Sequence, residues 1–163
     1  MHKVNDVVVY IRDVCKISEV DNKNKYYTLI PINDKSLTIK IPFNNDKVRG
    51  LISKKEVEAI IKKIPQIELI DFNNDKMVEH EYKKLLYSNE HENLIKIIKT
   101  THLRNQDRIN HNKKVSEKDS NYFNLAEKLL YNEFAAVLGK TYDETKDYVI
   151  NEVNKINSKK SKD

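Results

Sequence analysis

The hydrophobic period of this chain changes once, at Phe43, and that change limits the folds open to it. Upstream, apolar residues tend to recur at every second position. In Leu37–Pro42 (LTIKIP), Leu37, Ile39 and Ile41 face one way while Thr38 and Lys40 face the other. Downstream, they recur at helical spacing. Ser53–Lys63 carries a stripe of Val57, Ile60, Ile61 and Ile64, opens with the capping pair Ser53 and Glu56, and stops at Pro65. A chain that is first β and then α reads as α+β, with the two halves kept apart.

The first half, residues 1–50, contains four expected strands. Val4–Tyr10 (VNDVVVY) is rich in β-branched residues, and Val14–Val20 alternates only approximately. After the turn Asp21–Lys25 comes YYTLIPI, where Pro31 marks a strand end or an edge, and Asn33-Asp34-Lys35 turns the chain into LTIKIP. Short strands with frequent turns suggest a small, highly curved sheet or barrel; unless it closes, it has an edge that can accept a partner's strand. NNDKVRG (44–50) reads as a polar connection.

The second half, residues 51–156, reads as five helices, and residues 157–163 as a disordered basic tail. IELIDFNN connects the first helix to a second over Asp75–Tyr87, and Ser88 and Asn89 separate that from the third. The third, Glu92–His111, is the longest amphipathic stretch but one. Leu94, Ile95, Ile97, Ile98 and Ile109 share an arc, and Arg104 and Arg108 stack at i,i+4 along its edge. Ser116 with Asp119 caps a fourth helix, which runs through the most apolar face of the set to Leu138 and stops at Gly139. Thr141 and Glu144 open the fifth.

The chemistry these residues exclude is informative. With glycine only at positions 50 and 139, a phosphate-cradling glycine loop is ruled out, and no serine sits in a glycine-flanked elbow. Cys15 is the one cysteine, so no disulfide or cysteine-based zinc site forms within a chain. His91 and His102 lie on one helix about 16 Å apart, too far for one ion. The expectation is no metal, no cofactor and no enzyme. Glu133, alone on an apolar face, is expected to make a structural hydrogen bond or ion pair within the bundle. No apolar run reaches the length of a membrane span, so a cytoplasmic, monomeric protein without membrane contact is expected.

Binding features remain. Thirty Lys+Arg against 25 Asp+Glu give a net charge of +5, which permits a nucleic-acid partner without requiring one. Lys96, Lys99, Arg104, Arg108, Lys113, Lys114 and Lys118 gather around the junction of the third and fourth helices. Two readings stand for them: a phosphate-binding surface, or a solvated face. Lys40 is the outward cation of a candidate edge strand, suited either to docking or to protection against aggregation.

The order of VNDVVVY, VCKI (Val14–Ile17), LTIKIPFNN (Leu37–Asn45), VRGLISKKEV (Val48–Val57), IPQIELI, LIKIIKTTHLRNQDR and LAEKLLYNEFAAVLG resembles the CarD family of bacterial transcription regulators over nearly all of residues 1–155. The resemblance implies a Tudor-like N-terminal β module that pairs edge to edge with the β subunit of RNA polymerase. It also implies an all-α C-terminal domain that touches promoter DNA through backbone and minor groove. By position, Thr38, Lys40, Ile41 and Pro42 match the polymerase-binding strand. The candidate DNA contacts are Phe72, Lys76, Lys99, Arg104, Arg108, Lys113, Lys114 and Lys118.

Three departures from the family pattern stand out. The chain has no Trp to wedge into the minor groove: Asp71 occupies the matching position, with Phe72 beside it. Val78 stands where an Arg often opens the following helix, and the glycine-containing turn after Tyr10 is shortened to Ile11-Arg12-Asp13. A polymerase-binding protein without productive DNA contact, and a stand-alone basic nucleic-acid-binding protein, are the alternatives.

Overall fold

A computed structural model of the chain describes residues 1–161 apart from Asn73 and Asn89. The fold is α+β, and the chain separates into two compact units, Met1–Ser53 and Lys54 onward.

The first unit is an antiparallel sheet of five strands in the order β4-β3-β2-β1-β5. They are β1 (Val7–Tyr10), β2 (Asp13–Asp21), β3 (Tyr26–Pro31), β4 (Ile39–Pro42) and β5 (Val48–Gly50). The fifth is a correction to the expected four: VRG does not connect but pairs with β1, Val9 opposite Arg49 and Tyr10 opposite Val48. It has no alternation of its own, and its extended state comes from that pairing. β4 is also shorter than expected, since Leu37 and Thr38 lie outside it and both are exposed.

One face of the sheet buries Val8, Cys15, Ile17, Tyr27, Leu29 and Ile41. The register stacks them across strands, with Val8 opposite Cys15, Ile17 opposite Leu29, and Tyr27 opposite Ile41. The imperfect alternation of β2 has a cause: a bulge between Ile17 and Glu19 shifts the parity, so Val20 returns to the face that Cys15 and Ile17 occupy. Burial raises the Cys15 thiol to about 11, helped by the Asp13 charge, so it is a packing group and not a nucleophile at neutral pH.

The second unit contains α1 (Lys54–Lys63), α2 (Val78–Leu86), α3 (His91–Asn110), α4 (Glu117–Leu138) and α5 (Tyr142–Ser161). Pro65 converts the end of α1 into a single 3-10 turn, Ile64–Gln66. A second 3-10 turn, Asp75–Met77, precedes α2, which starts three residues later than the sequence pattern suggests. Asn89, expected with Ser88 to separate α2 from α3, lies outside the described residues, as do Lys162 and Asp163 of the expected tail.

α4 is the centre of this unit, burying Ala126, Leu130 and Phe134 with at most 1% exposure. Its ends follow local chemistry. Ser116 Oγ accepts from the Asp119 N–H at 3.2 Å, and Gly139 takes φ 65°, the left-handed stop that glycine adopts cheaply. α5 opens with a reciprocal box, the Thr141 N–H donating to Glu144 and the Glu144 N–H to Thr141 Oγ1, each at 3.1 Å.

α3 runs antiparallel to α4, tied at one end by His91 Nε2 to Glu133 Oε1 at 2.8 Å and at the other by Asn105 to Ser120 at 3.1 Å. Glu133 thus makes a hydrogen bond between helices of the bundle, as expected of it. Ile109, expected on the apolar arc, does not join the core: it is 51% exposed. The tail is a further correction. Helix α5 continues through residues 157–161, where no Gly or Pro breaks it and Lys159 and Lys160 suit the negative end of the helix dipole.

Candidate functional site: a sheet edge and a basic cleft

Strand β4 forms one edge of the sheet, bonded to β3 alone among the described strands. Its register places Thr28 opposite Lys40 and Tyr26 opposite Pro42. The Phe43 N–H donates to the Lys25 carbonyl at 2.9 Å, extending the register by one pair. Hydrogen-bonded pairs alternate in an antiparallel ladder, so Ile41 and Ile39 spend their backbone groups on β3, and Lys40 turns its N–H and C=O outward. Pro42 turns a carbonyl outward and has no N–H to offer. Lys40 therefore presents the edge's central donor and acceptor together with an exposed cation.

Of the four residues assigned to docking, Thr38, Lys40 and Pro42 are exposed, as alternate positions along one edge should be. Ile41 is 3% exposed and packs into the sheet core, so it supports the strand but offers a partner no side chain. The face around Lys40 is of mixed charge: a shallow 270 Å³ depression holds Lys40, Thr28, Glu19 and Asp21. The Asp21 carboxyl is held below its usual range, chiefly by the Asn24 backbone and side-chain N–H groups and in smaller part by the Lys40 charge. The β1–β2 connection, Ile11-Arg12 between the paired Tyr10 and Asp13, puts Ile11 at φ 59°, an uncommon state for a β-branched residue.

In the helical unit, a cleft of about 680 Å³ lies where the end of α3 meets the start of α4. Arg104, Arg108, Lys113 and Lys118 line it, as expected of a cluster at this junction, and His111 joins them. Behind them sits the acidic residue of the α4 cap. Asp119, whose side chain is 1% exposed, accepts from Arg104 Nε at 3.0 Å and Arg108 Nη1 at 2.6 Å, both on Oδ2. Its Oδ1 accepts from the Tyr82 hydroxyl at 2.7 Å. Burial would raise the Asp119 carboxyl, but hydrogen bonds from Arg108, Tyr82 and Arg104 outweigh it and hold the group below its usual range. The Tyr82 hydroxyl, desolvated and bonded to that carboxylate, is pushed well above the phenol range.

The remaining assigned residues are divided between surface and structure. Lys99 is a structural group: its ammonium donates to the Ile64 and Ile67 carbonyls at 2.8 and 2.7 Å, and burial lowers its pKa. Phe72 stacks edge-on to Tyr82 at 5.6 Å with Arg104 over its ring at 5.1 Å, so it is packed into the unit and does not project as a wedge. Val78 is 4% exposed and packs into the unit. Lys76, Lys113, Lys114 and Lys118 remain exposed, and Lys118 makes a 3.7 Å pair with Glu79, both about half exposed.

Asp119, Tyr82 and Asn105 are the organisers that sequence reasoning missed. The available signal was an acidic residue one turn into α4 facing an i,i+4 arginine pair across a short connection. Among the described residues no group of three His, Cys, Asp or Glu side chains is placed to hold a metal ion, and no helix is long and apolar enough to cross a membrane. No protein-family model matches this sequence, and no curated protein matches it.

Proposed function

We propose that this protein is a CarD-like transcription regulator that docks on the β subunit of RNA polymerase by strand addition at β4. The observation that carries the reading is the edge itself: the segment resembling the family's docking strand is an edge strand with the Lys40 N–H and C=O turned outward and the Lys40 side chain exposed beside it. Main-chain hydrogen bonds would supply affinity, and the Lys40 cation would select an acidic or carbonyl-rich strand. Within β4 Lys40 offers the outward donor and Pro42 has none, so the added strand is short, and the side chains beside it carry much of the specificity.

Promoter DNA is the second partner in this reading, reached by the helical unit through backbone contacts. The exposed lysines Lys76, Lys113, Lys114 and Lys118 carry that role better than Arg104, Arg108, Lys99 or Phe72, which are held by internal partners. That internal engagement favours, as a second reading, a polymerase-binding protein with little productive DNA contact. Tethering to polymerase raises the effective concentration of the helical unit at the promoter, so weak contacts suffice under the first reading.

The test is binding of the full chain to the isolated polymerase β-subunit lobe, with Lys40→Glu beside it. Micromolar or tighter binding, weakened by the substitution while the fold is kept, is the expected result. Absence of binding by the folded protein removes the proposal. Duplex DNA binding across a salt series, with Lys113, Lys114 and Lys118 each changed to Gln, then separates the two readings: lost lysines flatten the slope only if they meet phosphates.

A further inference from the structure

Helices α3 and α5 each pack on α4, and a furrow of about 520 Å³ lies among the three. Leu130 and Tyr131 of α4, Ile95 and Ile98 of α3, and Val149 and Val153 of α5 give it an apolar lining. Lys99 is its one charged lining residue among the described residues. The Lys99 ammonium is fixed at the Ile64 side of the furrow by donating to the Ile64 and Ile67 carbonyls at 2.8 and 2.7 Å. Both acceptors are neutral, and no carboxylate of the described residues pairs with this cation. An ammonium has three N–H donors, so one remains after those two bonds. His102, three residues further along α3, sets its ring 6.1 Å from that of Phe123 in the same lining.

We propose that this furrow binds a small amphiphilic carboxylic acid, its alkyl chain against the apolar lining and its carboxylate on the Lys99 ammonium. A cation without a counter-ion beside an apolar surface is complementary to one ligand class, an anion carrying a hydrocarbon chain. The single remaining N–H suits a monoanionic head, and the two carbonyl bonds have already ordered the lysine, which lowers the cost of binding. Burial without a counter-charge lowers the Lys99 pKa, a penalty that an adjacent carboxylate relieves. The volume lies in the range of small-molecule sites. From Ile95 to His102 the α3 wall runs for about 10 Å, the reach of a medium-length alkyl chain. The proposal is independent of polymerase docking.

The experiment is calorimetric titration of the full chain with hexanoate, octanoate and octylammonium, all below their micelle concentrations. Octanoate binds about tenfold tighter than hexanoate, because two more methylenes are buried, and about tenfold or more tighter than octylammonium, whose charge Lys99 repels. Val153→Phe, which fills the furrow from a partly buried position on α5, weakens octanoate by about tenfold while leaving the helical signal unchanged. Lys99→Met keeps the apolar stem but leaves two carbonyls unpaired, so its readout is a ratio: the folded variant loses the preference for octanoate over octylammonium. Leu103→Ala removes an exposed apolar side chain outside the furrow and changes octanoate binding less than about twofold. Four results overturn the proposal: no binding of octanoate, equal affinity for octanoate and octylammonium, unchanged octanoate affinity in Val153→Phe, or equal loss in Leu103→Ala.

Discussion

Replacing Arg104 and Arg108 together with methionine keeps most of the side-chain volume but leaves the Asp119 carboxylate, 1% exposed, with the Tyr82 hydroxyl as its remaining side-chain donor. Breaking a buried ion pair from one side costs about 3–5 kcal/mol. Protonation limits that cost. Moving a carboxyl from an unfolded pKa near 4 to one above 7 takes about 4 kcal/mol, at about 1.4 kcal/mol per pH unit, so the folded variant protonates Asp119 before the cost grows further. The loss at about pH 7 is then about 4 kcal/mol, a large share of the roughly 5–15 kcal/mol of a typical domain.

The sign of the pH dependence follows from the direction of each shift. In the native protein the Asp119 pKa is depressed, so its contribution is complete above the unfolded value near 4 and is lost only as pH falls through the lower folded value. In the variant the folded pKa is raised, so the variant gains stability as pH falls from 7 toward 4, recovering about 2 kcal/mol by about pH 5.5. Urea unfolding followed by far-ultraviolet circular dichroism, which reports the helical unit, measures both. Adding Asp119→Asn to the pair removes the pH dependence and restores much of the loss. A double variant as stable as the native protein, or equally destabilised at both pH values, would refute the assignment of the arginines to Asp119.

Three other substitutions test separate parts of the structure. Gly139→Ala costs about 1 kcal/mol in thermal unfolding: a Cβ there meets nothing within 4 Å, so the whole penalty comes from φ 65°. Ile11→Asn raises stability by about 0.5–1 kcal/mol, because Ile11 sits at φ 59° and is 43% exposed, losing little burial on replacement; a loss of stability would show that its packing outweighs the backbone strain. Lys40→Glu places a third carboxylate beside Glu19 and Asp21, but on a solvent-exposed face where the repulsion is screened, so it costs no more than about 0.5 kcal/mol of stability in urea unfolding while weakening polymerase binding. A coincident loss of fold would make that variant uninformative about docking, and Lys40→Gln then isolates the charge.

What could be read from the chain was what its local chemistry decides. Ser116, Gly139, Thr141 and Glu144 set their helix ends by rules that act within a few residues, and α4 and the start of α5 fall where those rules put them. The edge position of β4 was legible from Lys40 between alternating isoleucines. β5 was not, since Val48–Gly50 is extended only because it meets β1, some forty residues earlier in sequence. The inward turn of Asp119 was hidden for a similar reason: a cap position has the same residue preference whether its side chain points to solvent or to arginines on another helix. Basic residues in a sequence show charge but not whether an internal carboxylate or carbonyl has already claimed it, and for Arg104, Arg108 and Lys99 one has.

The proposed docking mode is tested most directly at a single amide. Strand addition at β4 places the Lys40 N–H in a new hydrogen bond, so amide hydrogen exchange at Lys40 should slow by about tenfold or more when the polymerase β-subunit lobe is bound, while that of Ile41, already paired with β3, changes little. A complex in which the Lys40 amide exchanges as fast as in the free protein would contradict edge-to-edge docking.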